Sequence, residues 1–473
     1  MRPLEILIPF LLTVYTLWPL ASGSARPQAV NALPALAAAL AVVHIFVEGY
    51  RWQMIPLYVS TGIILAASLP GLIHPSTGGF ARLSWPGAGL ALTFILLAVS
   101  TALPALLPVP RVVAPGGPYT VGTATFVLTD TSRKELYSGR DEPRRFMVQV
   151  WYPAEPGPGN RPAPWMADAQ IVAPAIAEYI RLPEYFLNHL TLAKTTSYQD
   201  APADPGGAPY PVLVFSHGWN GFRAQSTSLM QELASHGYIV IGMEHPYGSV
   251  ITVFPDGQVA HNNPSALPDG KPEDEYEAAA RLLADQWAQD IGYTLDMFGI
   301  WTTDRRSTFW GMLDLGRVGV FGHSTGGGAA IQFCGTDPRC QAVLGLDPFM
   351  TPVSPEILDN GLSMPFMAMF SQAWADEAGS KNNRLFNGML AQMSGPAPAV
   401  SIQGTAHYDF TDLPALTPLA PRLHLKGPIN GKRVQEIVNT YVLEFFDLHF
   451  KGLPAPLLDA PSPDYPEVKF IGP

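Results

Sequence analysis

Only two of the 473 residues are cysteine, Cys334 and Cys340, and only 14% of the chain is charged. Two thiols are too few for a zinc centre without other ligands, and no Cys/His cluster supplies them. No run of lysine and arginine occurs, and the formal net charge is −11. That argues against a surface that grips nucleic acid through its phosphates. A Gly-rich phosphate loop, an internal repeat and a coiled-coil heptad are also missing, which leaves nucleotide chemistry and solenoid architecture unsupported. The expectation is a chain that needs no cofactor and no metal. The cysteine pair stays open between one short disulfide, in an oxidising compartment, and two buried thiols.

What the chain has in plenty is apolarity, unevenly placed. Up to residue 110 four long stretches carry no charge: 6–20, 32–47, 54–73 and 87–107. About 20 apolar residues cross a hydrocarbon core of roughly 30 Å, and proline or glycine inside such a segment is tolerated when neighbouring helices satisfy the freed backbone. Trp18, Tyr50, Trp52 and Trp85 fall at segment ends, where interfacial aromatics belong. A soluble bundle would show a polar face, and these segments show none. Residues 1–112 therefore read as an all-α transmembrane domain of about four helices. An alternative for the first stretch is a cleaved signal peptide, since Arg2 precedes it and small residues, Ala21 to Ala25, close it. Residues 1–112 hold five arginines and two glutamates, net +3, so residues 113–473 carry −14. With an even number of spans, Arg2, Arg51 and Arg111 share a side and Arg26 and Arg82 the other, an excess that favours a cytoplasmic catalytic face. A transport role finds only one ionisable side chain inside the spans, His44.

From residue 113 the pattern changes to strands alternating with helices. Strands are expected over 123–129, 145–152, 211–215, 238–243, 343–346, 365–370 and 400–403. Helices are expected over 170–192, 225–236, 275–298 and 431–450, with Gly237 ending the second. Residues 255–274 read as a polar, turn-rich excursion. Such alternation means a mostly parallel sheet covered by helices on both faces.

The chemistry centres on residues 318–330, V-G-V-F-G-H-S-T-G-G-G-A-A. An apolar strand runs into Gly322-His323-Ser324-Thr325-Gly326, a G-x-S-x-G elbow, and small residues open a helix. The glycines are needed because the serine backbone is strained and the chain passes close to itself. The turn exposes the serine oxygen, and the helix N-terminus offers free N–H groups to an oxyanion. A serine hydroxyl attacks only when a base takes its proton and a carboxylate orients that base. In this fold the order is Ser, then acid, then His, on loops after later strands. Asp347 ends the strand after Ser324, and His407 follows the next strand but one. Asp409 and Asp412, beside His407, compete for the acid role. Oxyanion donors are expected from the backbone N–H of Thr325 and of Trp219, in the turn Ser216-His217-Gly218-Trp219. His217 reads as ordering that turn.

With these residues placed, residues 113–455 resemble the plasma-type platelet-activating factor acetylhydrolases and their bacterial relatives. The resemblance rests on Gly117-Pro118-Tyr119-Thr120-Val121-Gly122, Trp151-Tyr152-Pro153, Phe215-Ser216-His217-Gly218, Phe222-Arg223, Leu233-Ala234-Ser235-His236-Gly237, Glu244-His245, Gly322-His323-Ser324, Leu346-Asp347 and Gly404-Thr405-Ala406-His407 with Phe410 and Asp412. It implies an α/β-hydrolase fold over 113–473 and calcium-independent hydrolysis of short or oxidised sn-2 acyl esters of phospholipids. It also implies a triad on Ser324, Asp347 and His407, with oxyanion positions Trp219 and Thr325. The expected partners are an ester or phospholipid-like substrate and the bilayer, in a bacterial inner membrane. Secreted members of the family have no multi-span domain, and Trp219, Thr325 and the segments 165–200 and 255–274 depart from their pattern. The triple glycine after Thr325 also suits cutinase-like polyester hydrolases. A thioesterase, a peptidase or a non-catalytic membrane scaffold are the remaining readings.

Overall fold

The computed structural model describes residues 1–22, 26–73 and 87–471. They divide into two compact units, residues 1–110 with 416–419, and residues 111–415 with 420–473.

In the first unit, stretches Pro3–Ser22, Gln28–Gly49 and Trp52–Leu69 are long and apolar enough to cross a membrane. The fourth expected segment is also helical, Gly87–Leu106, with a shorter apolar run, Ala91–Leu106. Residues 23–25, in the expected cleavage stretch, and Arg82 and Trp85 lie outside the described residues. His44 is not alone inside the bundle. Glu5, fully buried, accepts from Arg2 Nε and Arg51 Nε at 2.8 Å each, and His44 Nδ1 meets the Tyr58 hydroxyl at 2.9 Å. Glu48 accepts the Leu4 N–H at 2.9 Å. Two carboxylates and two guanidiniums thus neutralise one another where helix ends gather, the arrangement that makes buried charge tolerable.

The second unit is built on an eleven-stranded sheet. Its strands are β1 Val121–Lys134, β2 Pro143–Pro153, β3 Pro162–Pro164, β4 Lys194–Gln199, β5 Tyr210–Ser216 and β6 Ile239–Glu244. After a separate ribbon of β7 Ile251–Val253 and β8 Val259–His261 come β9 Leu313–His323, β10 Ala342–Leu346, β11 Phe366–Ser371, β12 Ala399–Ile402 and β13 Val468–Phe470. The spatial order is β13-β12-β11-β10-β9-β5-β6-β2-β1-β4-β3. The six strands from β12 to β6 are mutually parallel, with antiparallel β13 and β2 at their margins. All eight expected strands, the one before the elbow included, are present. The mostly parallel sheet with helices on both faces is the expected α/β class.

Strand periodicity divides the core. In β5, Val212 and Val214 pack with Ile291, Leu295 and Phe298 of the helix Glu273–Thr303, while Leu213 and Phe215 pack with Phe446 and Phe450 of Gly431–Lys451. Burial of each such side chain contributes roughly 1.5–3 kcal/mol. Glu273, Asp274 and Glu275 open the long helix, where carboxylates meet its positive end. Gly237, at φ +88°, terminates Thr227–Ser235 as expected.

Two features differ from the sequence reading, and one left open by it is resolved. The helix expected over 170–192 is broken into Ala169–Tyr179 and a 3₁₀ segment, Glu184–Leu192. Arg181 turns left-handed, at φ 60°, and Pro183 cannot continue a helix. The turn-rich 255–274 excursion contains β8, and β3, β4 and β13 are short strands at or next to the sheet margins with little apolar pattern. Cys334 and Cys340 are joined in a disulfide across six residues.

Gly319 sits in β9 where a Cβ would approach Phe446 Cε1 to 2.6 Å and Leu213 Cδ2 to 2.8 Å. Gly319→Ala should cost about 1–3 kcal/mol through overpacking. A thermal melt of the full chain in detergent checks it, and an unchanged midpoint would contradict the packing described.

Candidate active site

Because the central strands are parallel, β5, β6, β9, β10, β11 and β12 all end at one edge of the sheet, and the candidate residues follow those ends. Ser324 directly follows β9 at φ 54° and ψ −122°, a strained backbone for any residue with a side chain. The surroundings enforce it. Ser324 N–H donates to Leu346 O at 3.0 Å, and its carbonyl accepts from Phe349 N at 2.9 Å and Gly328 N at 3.2 Å. The glycines leave no alternative. A Cβ on Gly322 would lie 2.2 Å from Gly326 O, and one on Gly326 would lie 2.1 Å from Ser216 O.

Asp347 leaves β10 at φ 44°, fully buried. Its Oδ2 accepts from His407 Nδ1 at 3.0 Å and from Ser371 Oγ at 2.6 Å, and its Oδ1 accepts the Ser371 N–H at 2.7 Å. Those contacts set the tautomer of His407: Nδ1 carries the proton and Nε2 is free to accept one. Trp374 stacks face to face on the His407 ring at 4.4 Å and 6°. On the other side lies His323, whose ring centroid is 4.4 Å away and whose Nε2–H donates to His407 O at 3.0 Å. Burial, with the nearby His407, holds the His323 imidazole well below its ordinary range, so it is a neutral spacer. Among the described residues Ser324 and His407 make no direct hydrogen bond.

The competing acids have other work. Asp409 Oδ2 accepts the N–H of Ala406 at 2.8 Å and of Gly427 at 2.7 Å, which folds the loop under His407. Asp412 accepts the Ser228 N–H at 3.1 Å, in the first turn of Thr227–Ser235, and burial pushes its carboxyl up to about 7.

The turn carrying Trp219 abuts the elbow, since a Cβ on Gly218 would stand 3.1 Å from Ser324 Cβ. Thr325 is the first residue of the helix Thr325–Thr336, where N–H groups have no intrahelical acceptor. Trp219 N–H makes no backbone hydrogen bond among the described residues. The structure therefore assembles the five expected residues around one sheet edge, with the Asp347–His407 bond as its firmest link. Sequence reasoning missed Ser371 and Trp374. Nothing marks them except their place just after an apolar strand.

A mostly parallel sheet, a strained serine between β9 and a helix, and a buried aspartate bonded to a histidine define the α/β-hydrolase class. The comparisons are specific within it. The family described as platelet-activating factor acetylhydrolase, isoform II, matches residues 109–281 and 303–453. The chain belongs to that family. It is 27% identical over 260 residues to the platelet-activating factor acetylhydrolase of Cavia porcellus, a match over 50% of this chain and 57% of that protein. The chain thus spans little more than half of that relative's length. It is 26% identical over 405 residues to a probable 1-alkyl-2-acetylglycerophosphocholine esterase of Arthroderma benhamiae, over 79% of this chain and 96% of that one. Among solved structures, a ferulic acid esterase from Streptomyces cinnamoneus superposes with a TM-score of 0.63 at 26% identity, covering 77% of this chain and 99% of that one. These relatives are named as esterases, the enzyme class expected from the sequence.

Asp347→Asn should lower kcat by about 10⁴-fold, because the wrong tautomer of the base is then favoured. Asp409→Asn should cost less than about tenfold, since only loop contacts change. Parallel kinetics on the two variants decide between the acids, and the opposite ranking would transfer the orienting role to Asp409.

Proposed function

We propose that the chain is a membrane-anchored serine carboxylic-ester hydrolase that cleaves short or modified acyl esters, with lipid esters as its substrates. The observation that carries this reading is the Asp347–His407 hydrogen bond beside the strained Ser324. In this mechanism His407 Nε2 takes the Ser324 hydroxyl proton as Oγ attacks the ester carbonyl. The N–H groups of Trp219 and Thr325 receive the oxyanion, stabilising charge that exists only in the tetrahedral state. His407 then passes the proton to the leaving alcohol, and water, activated by the same imidazole, hydrolyses the acyl-enzyme. Residues 113–473 form the catalytic domain on this reading and residues 1–112 the anchor.

The relatives named for acetyl-glycerophosphocholine esters favour a short acyl group. The Trp219 side chain packs beside Leu283, Trp287 and Ala329, next to the oxyanion turn, and supports the same preference. A second reading, an aryl or polyester substrate, draws on the likeness to a ferulic acid esterase. Ser324→Ala should lower hydrolysis by about 10⁴–10⁶-fold and abolish labelling by a fluorophosphonate. Rates on p-nitrophenyl esters from acetyl to palmitoyl, with methyl ferulate alongside, choose between the substrates. A rate that climbs steadily with chain length would count against a short pocket.

The side of the membrane rests on two opposed signals. The arginine count favours the cytoplasm, whereas the Cys334–Cys340 disulfide favours an oxidising compartment. We give the covalent pair the greater weight and place the catalytic domain outside. Protease added to intact spheroplasts should then release it, and full protection would return it to the cytoplasm.

A further inference from the structure

A second Ser–His–Asp array lies inside the catalytic unit, away from Ser324. Ser216 Oγ meets His245 Nε2 at 3.0 Å, and His245 Nδ1 meets Asp290 Oδ2 at 2.9 Å. All three residues are fully buried, so this serine cannot receive a substrate and the array has no chemistry of its own to perform. Asp290 is held by Arg144, through Nε at 3.1 Å and Nη2 at 2.6 Å, and by Arg133 Nη2 at 2.9 Å. Fixed by these cations, Asp290 is a pure acceptor. His245 must therefore carry its proton on Nδ1 and accept the Ser216 hydroxyl at Nε2. Trp287 lies flat on the His245 ring at 4.3 Å and 7°, and closes the remaining freedom.

The far end of this chain is the oxyanion turn. Ser216 is the last residue of β5, and His217, Gly218 and Trp219 follow it directly. His245 N–H also donates to His217 Nε2 at 3.1 Å, and His217 Nδ1–H donates to Gly218 O at 2.7 Å. Ser216 and His217, at the start of the turn, are thereby both tied to His245, and Gly218 is tied to it through the His217 ring. Oxyanion donors act only when held at a fixed distance from the developing charge, and a displacement of about 1 Å costs on the order of 10²-fold.

We propose that Ser216, His245 and Asp290 are positioning residues, an internal relay that fixes the His217–Trp219 backbone so that the Trp219 N–H meets the oxyanion formed at Ser324. The proposal rests on the ester-hydrolase reading of Ser324. The test uses the full chain in detergent and two variants, Ser216→Ala and Ser216→Cys. The second keeps the volume and a weaker donor, and it carries the comparison alone should the first fail to fold. Measured for each are kcat, KM, melting temperature and the inhibition constant of a trifluoromethyl ketone, which forms a tetrahedral adduct. Ser216→Ala should lower kcat about 10–100-fold and weaken the ketone by the same factor, with KM within about twofold. Ser216→Cys should lie between it and the wild type. A structural role alone would lower the melting temperature and leave kcat and ketone affinity intact in the folded protein, which overturns the proposal. If the wild type is not labelled by a fluorophosphonate at Ser324, the underlying reading falls. If it is labelled and the Ser216 variants match it in kcat and ketone affinity, the relay alone falls.

Discussion

The backbone at Ser324, held at φ 54° and ψ −122° between β9 and its helix, is the constraint on which the catalytic unit depends. Such a conformation costs of order 1–3 kcal/mol and persists only where its surroundings over-determine it. Here β9 lies between β5 and β10 in a parallel sheet, and backbone bonds to Leu346, Phe349 and Gly328 close around the serine. The same bonds tie the elbow to the end of β10, which delivers Asp347. Contact of Gly326 with the Ser216 carbonyl ties it to the end of β5, which delivers the turn His217–Trp219. One strained residue thus fixes the mutual placement of three strand ends.

Much of this was legible because it is written in patterns that chemistry restricts. Buried parallel strands read as apolar runs, the elbow reads as glycines around a serine, and chain order places acid before base. The failures have equally definite causes. Lys194–Gln199 is K-T-T-S-Y-Q, and its pairing with β1 and β3, rather than its hydrophobicity, makes it a strand. The break at Arg181 and Pro183 was visible in principle, but helix-like apolar spacing on both sides outweighed it. In the bundle, Glu5 and Glu48 looked like edge charges, and only tertiary packing shows them joined with His44, Arg2 and Arg51. Ser371, which donates twice to Asp347, lies 24 residues from it and carries no local signature.

Two Ser–His–Asp sets in one unit also show why residue identity and distance do not by themselves make a catalytic site. Asp347 is satisfied by neutral donors, the Ser371 N–H and hydroxyl and the His407 N–H. No arginine or lysine is bonded to it among the described residues. Its charge therefore faces only His407, whose side chain is 22% exposed where that of His245 is buried. Asp290 has the same contact to a histidine but faces two guanidiniums; burial pushes its carboxyl up, yet Arg144 and His245 outweigh that and hold it far below the usual carboxylate range.

In the buried array the imidazoles are held neutral. Burial pushes His245 down, with Arg144 and Arg133 adding to that effect against the attraction of Asp290. Burial and the nearby His245 hold His217 at about 3. A neutral imidazole with a fixed tautomer is a rigid two-ended hydrogen-bonding spacer, suited to holding a turn. A partly exposed imidazole beside a carboxylate that no cation neutralises has the geometry the proposed proton transfer needs. The sequence places a histidine next to each role, at 245 and at 407. Arg133 on β1 and Arg144 on β2, more than 100 residues from His245, are what set the buried array apart from the pair at His407.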